Sequence, residues 1–190
     1  MPRRALAALL TLVALAWTPA GAALAGGVGA PTSDPVGDVH RYDGLDDPNP
    51  TEVARADIDL VSARTRVVGS RVQTRLSFRE LRRGGRPAVV DLYVHWVDEE
   101  AGELRMGEVG VAVTRAHPRG RDHTDGDLRS CDPRHGVDHA RRVVRLSVPT
   151  ACFGSARVLL VMPEARRLDR LVEPRAMLWD WAEPRQLRLG

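Results

Sequence analysis

The sequence predicts an all-β fold, an antiparallel β-sandwich of jelly-roll or immunoglobulin type with about seven to nine strands, preceded by a signal peptide. Two observations predict the sandwich. Between Ala88 and Val97, Val90, Leu92, Val94 and Trp96 alternate with Asp91, Tyr93 and His95, the period-two pattern of a strand with one dry face. Similar stretches recur at intervals of about ten residues, separated by Gly, Pro and Asp turn chemistry, as in an antiparallel sandwich.

The leader comes first in the chain. Arg3 and Arg4 precede an apolar run from Ala5 to Trp17, and small residues follow up to Ala23-Leu24-Ala25. These are the three parts of a signal peptide cleaved near Ala25. The apolar run is shorter than the roughly 18–20 residues that span a bilayer, and Gly27 stands where a lipoprotein would carry cysteine. The expected division is a signal peptide at 1–25, a flexible start at 26–33 and one domain at 34–190. The expected localisation is secreted, with no integral membrane segment after leader removal. What remains is enough for one domain with a real core. The leader holds two arginines and no acid, so its removal lowers the formal charge of +3 by two. All 28 basic residues besides histidine are arginine, and they are interleaved with 25 acids along the chain. Nucleic acid is therefore not expected as a partner.

Residues 26–56 show no period and are rich in Gly, Pro and Asp, which reads as a flexible start and then an irregular approach loop. A strand is expected from Ile58 to Val67, a turn at Gly69-Ser70, and a second strand from Arg71 to Phe78 that completes a hairpin. After an Arg82–Pro87 loop comes the central strand, and then a strand from Leu104 to Thr114 in which Gly107 and Gly110 signal a bulge or close packing. Arg115 to Asp127 reads as a polar loop, Leu128 to Cys131 as a short strand, Val143 to Val148 as a strand, and Arg157 to Met162 as a strand largely buried by its run of Val158, Leu159, Leu160 and Val161. Cys152-Phe153-Gly154 reads as a corner. Glu164 to Leu171 suggests one or two helical turns, and Met177 to Trp181 an edge strand or a segment whose Trp179 and Trp181 cover one end of the core.

Cys131 and Cys152 are expected to form a disulfide, because two cysteines in an exported chain meet an oxidising compartment. The alternative is tetrahedral zinc on Cys131, His135, His139 and Cys152, against which compartment and spacing both count. His135 and His139 then read as exposed loop residues. The cluster His117, Asp122, His123, Asp125 and Asp127 does not fit a calcium-loop spacing and reads as solvated loop. Asp91, Tyr93 and His95 share the polar face of the central strand and are the candidate pocket face. Before the first strand, Asp34, Asp38 and Asp57 are the candidate calcium ligands: Gly37 between two aspartates allows the tight turn that brings hard oxygen ligands together. The bland reading is that these acids cap turns.

The run Asp34-Pro35-x-Gly37-Asp38, an acidic stretch, then Asp57-Ile58 opening a strand resembles the start of the sandwich domains related to family-nine carbohydrate-binding modules and DOMON domains. The resemblance implies a structural calcium on these acids. The mature chain, with Val148-Pro149-x-x-Cys152-Phe153-Gly154 before a strand, also resembles a group of small secreted actinobacterial proteins, which implies no particular activity. No serine-nucleophile elbow, metalloprotease helix, phosphate-binding glycine loop or free cysteine nucleophile is present. The expected function is a non-catalytic binding or cell-envelope interaction module, its partner an envelope component or glycan. The alternatives are a secreted hydrolase with an acid and histidine site, and a glycan-binding module, which the small number of aromatic residues outside core positions disfavours.

Overall fold

The computed structural model describes residues 31–43, 48–83, 88–169 and 176–190. The expected leader lies outside these residues, as do Asp46, Asp47 and the Gly84–Pro87 part of the expected loop. Among the described residues the regular structure is strand, apart from a single 3-10 turn at Thr150–Phe153. The first five strands are β1 (Thr32–Ser33), β2 (Val39–Tyr42), β3 (Thr51–Val53), β4 (Leu60–Val68) and β5 (Arg71–Phe78). The middle of the chain supplies β6 (Ala88–Asp98), β7 (Glu103–Val113), β8 (Arg121–Gly126), β9 (Arg134–Asp138) and β10 (Val143–Pro149). β11 (Val158–Asp169), β12 (Ala176–Trp181) and β13 (Arg185–Arg188) complete it.

These strands build two antiparallel sheets, the sandwich that the alternation predicts. The smaller runs β1-β4-β5-β10-β9; the larger runs β3-β2-β12-β11-β6-β7-β8, with β13 also paired to β11. The alternating residues of β6 behave as expected, with Val90, Leu92, Val94 and Trp96 all buried. They pack with Val109 and Val111 of β7 and Leu159 and Val161 of β11 against Val72 and Leu76 of β5 and Leu146 and Val148 of β10. Each such side chain contributes roughly 1.5–3 kcal/mol through burial. Trp96 meets Phe153 edge-on at 5.5 Å between centroids, so the 3-10 turn lays its one buried ring on the central strand.

The β4–β5 hairpin forms around Gly69, whose φ of 56° suits the turn. The glycines of β7 mark close packing: Gly107 and Gly110 stay in register with Val94 and Asp91. A Cβ on Gly110 would collide with the Asp91 carboxylate and the Val90 carbonyl, and one on Gly107 with Leu128.

Several elements differ from the expectation. The polar loop at 115–127 contains β8, an edge strand paired to β7; its hydrophilic sequence is that of a strand with no dry face. Leu128 to Cys131 is a turn, held by the Cys131 amide donating to the Leu128 carbonyl at 3.0 Å. The expected helical turns at 164–171 are the second half of β11 as far as Asp169, and residues 170 and 171 are not described. There, alternation of Glu164 and Arg166 with Ala165 and Arg167 places charged groups on both faces and hides the strand period. β12 is an internal strand between β2 and β11, not an edge.

Candidate functional site

Two clusters of ionisable groups stand apart from the ordinary surface. The first lies where the chain crosses from the small sheet to the large one. β1 ends against β4 and β2 begins in the other sheet, so the loop Asp34–Asp38 bridges them. The Asp34 amide donates to the Val61 carbonyl at 3.0 Å, and Gly37, at φ 92°, donates to Asp59 Oδ2 at 2.9 Å. From the far end of the chain, Asp180 of β12 accepts the Leu60 amide at 2.6 Å. Asp34, Asp38 and Asp180 each direct one carboxylate oxygen to a point where all three lie within 4.8 Å of one another.

This corner is short of positive charge. Asp59 and Asp180 are fully buried and Asp34 is nearly so, and the cation in ion-pair range among the described residues is Arg79, 3.5 Å from Asp59. Asp34 Oδ2, Asp38 Oδ1 and Asp59 Oδ1 are buried without a hydrogen-bond partner. Burial, and then the charge of Asp180, Asp38 and Asp59, push the Asp34 carboxyl up to about 8. Burial pushes Asp180 up to about 6, against the Leu60 amide and with the help of Asp38 and Asp59; Asp59 is raised too, chiefly by burial. Converging carboxylate oxygens, with atoms of Asp34 and Asp38 left without a hydrogen-bond partner, are the donor set of a hard divalent cation, and calcium is the one that accepts an irregular oxygen shell. The residues therefore fit the calcium implied by the resemblance, with one change of ligand. Asp34 and Asp38 are brought together as expected, but Asp57 is drawn away into an ion pair with Arg167 and faces Arg55 at 3.6 Å. Asp180 holds the third position.

The second cluster lies on the outer face of the large sheet. β6 offers Asp91, β7 Glu108, β8 His123 and β11 Glu164 and Arg166. The Arg166 guanidinium is the hub: Nε donates to Asp91 Oδ2 at 3.1 Å, the terminal nitrogens pair with Glu108, and Glu164 lies 3.9 Å from Nε. His123 Nε2 stands 3.5 Å from Glu108. Trp179 Nε1 donates to Glu164 Oε2 at 3.0 Å. Burial raises Glu164 to about 7 and Asp91 to about 6, opposed in both by Arg166. Beside these groups Trp181 stacks on His40 with centroids 4.6 Å apart, Trp179 meets it edge-on at 6.2 Å, and Tyr42 tilts towards Trp179 at 6.0 Å.

No family model matches the chain, and no curated protein matches it in sequence.

Of the expected pocket face, Asp91 is fully buried beneath Arg166, while Tyr93 and His95 lie half-buried next to each other, ring to ring at 4.8 Å. They continue the same outer face, with Tyr93 directly opposite Glu108 in the register. Cys131 and Cys152 form a disulfide with Cα atoms 5.9 Å apart, and no zinc set assembles from them. His135 and His139, expected as exposed loop residues, are half-buried struts: His135 bridges Asp122 and the Arg119 carbonyl, and His139 bridges the Leu81 and Pro118 carbonyls. Asp180, Asp59, Glu108, Glu164, Arg166 and the outward tryptophans are functional candidates that sequence reasoning did not select. For Asp180 the signal was present, since it shares parity with Ala176, Leu178 and Ala182, all buried.

Proposed function

We propose that this chain is an exported, non-catalytic binding module that holds a carbohydrate ligand of the cell envelope on the outer face of its large sheet, with calcium locking the aspartate corner. One observation carries the reading. The aromatic residues of the domain that are not core, Tyr42, Tyr93, Trp179 and Trp181, share that single face. Their flat apolar rings suit the apolar face of a pyranose, and the neighbouring Glu108, Arg166 and His123 offer donors and acceptors for its hydroxyls. The number of such rings is small, as the sequence indicates, but the fold gathers them.

The test is calorimetric titration of the protein with a panel of soluble neutral and acidic polysaccharides. Binding of at least one, weakened about tenfold by Trp181→Ala, which removes roughly 1.4 kcal/mol of stacking, is the expected result. A panel without binding, or binding indifferent to Trp181, overturns it.

The second reading, a hydrolase, is favoured by Asp91 and Glu164 titrating near neutrality, where proton transfer is efficient. Against it, both carboxyls are buried and turned onto Arg166. Release of reducing ends from a bound polysaccharide, abolished by Glu164→Gln without loss of binding, would decide for the enzyme.

A further inference from the structure

The opposite face of the molecule carries a different chemistry. On the outward positions of the small sheet stand Arg64 and Arg66 of β4, Arg71 and Arg75 of β5, Arg145 of β10 and Arg134 of β9. The register puts Arg64, Arg75 and Arg145 side by side across three adjacent strands, and the next row runs Arg66, Gln73, Ser147, Arg134. Neighbouring strands lie about 4.8 Å apart and outward residues repeat roughly every 7 Å along each strand, so the guanidinium groups form a regular lattice over a shallow groove of about 490 Å³.

Four members of the lattice are not neutralised by the described residues. Arg71 is occupied by the Ser147 hydroxyl and carbonyl, at 2.7 and 2.6 Å. Arg66, Arg75, Arg134 and Arg145 have no carboxylate in ion-pair range among the described residues, and Arg66, Arg75, Arg134 and Arg145 are all exposed. The one acid on an outward position of these strands, Asp138, is taken by the Arg141 amide at 3.0 Å and lies 3.8 Å from its guanidinium. Like charges directly opposite one another in a sheet are destabilising, so Arg75 facing Arg145 works against the fold. The acids gather instead on the outer face of the large sheet, at Glu52, Asp91, Glu108, Asp125 and Glu164. Alternating charge along the chain becomes, once folded, a basic face and an acidic one.

We infer that the arginine lattice of the small sheet docks a linear phosphodiester-linked polymer of sugars or polyols. Guanidinium groups pair with phosphate oxygens in a two-pronged geometry that ammonium groups do not reproduce. A flat array of them suits a flexible chain bearing charges at intervals of several ångströms. The lattice holds no aromatic side chain, whereas single-stranded nucleic acid sites interleave rings on which bases stack, so the partner is a polymer without bases. This surface is independent of the aromatic face and stands or falls separately from it.

The experiment titrates labelled poly(glycerol phosphate) with the protein and follows anisotropy at 50 and 200 mM salt. Four engaged arginines on a single-strand-like chain lose about fifty-fold in affinity over that range. The double variant Arg75→Thr, Arg145→Thr should weaken binding at least about tenfold and roughly halve the salt slope, with a melting temperature no lower than the parent's. The control Arg129→Ser, Arg157→Ser makes the same change in net charge where each arginine meets a carboxylate, Asp125 and Glu99, and should leave affinity within about twofold. Absence of binding, equal weakening by both double variants, or tighter binding of a single-stranded oligodeoxynucleotide with the same number of phosphates would each overturn the proposal.

Discussion

Asp180 is the residue on which the aspartate corner turns. One of its oxygens receives the Leu60 amide, and the carboxylate converges with Asp34 and Asp38. Asparagine at this position keeps an acceptor for Leu60 and discards the charge. Asp180→Asn is therefore expected to raise the melting temperature of the chelator-treated protein and to abolish most of the increment that calcium gives the parent. Thermal melts of both proteins in chelator and in millimolar calcium read the two effects together; a variant that still gains the full increment would remove Asp180 from the site. The sequence points to Asp34 and Asp38, because a glycine between aspartates is a local signal. Asp180 is distant in the chain and sits between two tryptophans, whose size invites assigning them to the core and the acid to solvent. The true parity is the reverse. Burying Trp179 and Trp181 would have exposed Leu178, which shares the buried side with Ala176 and Ala182.

At the scale of elements, the disulfide joins the turn after β8, in the large sheet, to the 3-10 turn after β10, in the small one. Between the two cysteines lie β10 and β9, and among the described residues β9 pairs with β10 alone. Closing a loop of 21 residues restricts the unfolded chain by roughly 3 kcal/mol in the chain-entropy picture. Replacing both cysteines by serine should lower the melting temperature by roughly 6–12 °C for a domain of this size, and reductant should lower the parent's melt by a similar amount while leaving the variant's unchanged. The strands legible in advance were those with one wet and one dry side, β4 to β7 and β10, together with the first half of β11, whose apolar run reads as largely buried although Val158 and Leu160 are exposed. β8 and β9 were not, because edge strands with polar residues on both sides carry no period to read. The second half of β11 was missed for a related reason: Arg167 occupies an interior position, made tolerable by its pairing with Asp57, and the dry face ceases to look dry.

For the molecule as a whole, the raised carboxyls set how stability follows pH. Asp34, Asp180, Asp91 and Glu164 titrate at about 8, 6, 6 and 7 in the folded state, above the 3.8–4.5 of unperturbed side chains. Across that window the native state binds more protons than the unfolded one, so stability falls as pH rises. The stabilisation is complete below about pH 4 and is lost as pH rises through about 6 and 7, the Asp34 share going last, around and above pH 8. In chelator, the melting temperature should thus rise steadily as pH is lowered from 8 to 5. Calcium competes with those protons, so its increment should be largest at pH 8, about 2.7 kcal/mol or roughly 5–10 °C at a hundred times the dissociation constant, and should vanish near pH 5. A melt independent of pH in chelator, or a calcium increment that grows on acidification, would contradict this. Net charge near neutrality gave no warning of how the two faces divide the charge, since that division arises only when alternate residues are sent to opposite sides. The margins of the sheets carry a further consequence. β1 has two residues, β3 has three, and β8 displays Arg121, Asp122 and Asp125 along its rim. An extended segment from another copy would find two rims too short to grip and two more, β8 and the five-residue β9 with Arg134 and Asp138, on which its own backbone must lie among ionised groups. Such margins oppose stacking into fibrils at high local concentration, a hazard that the thirteen strands among the described residues would otherwise invite.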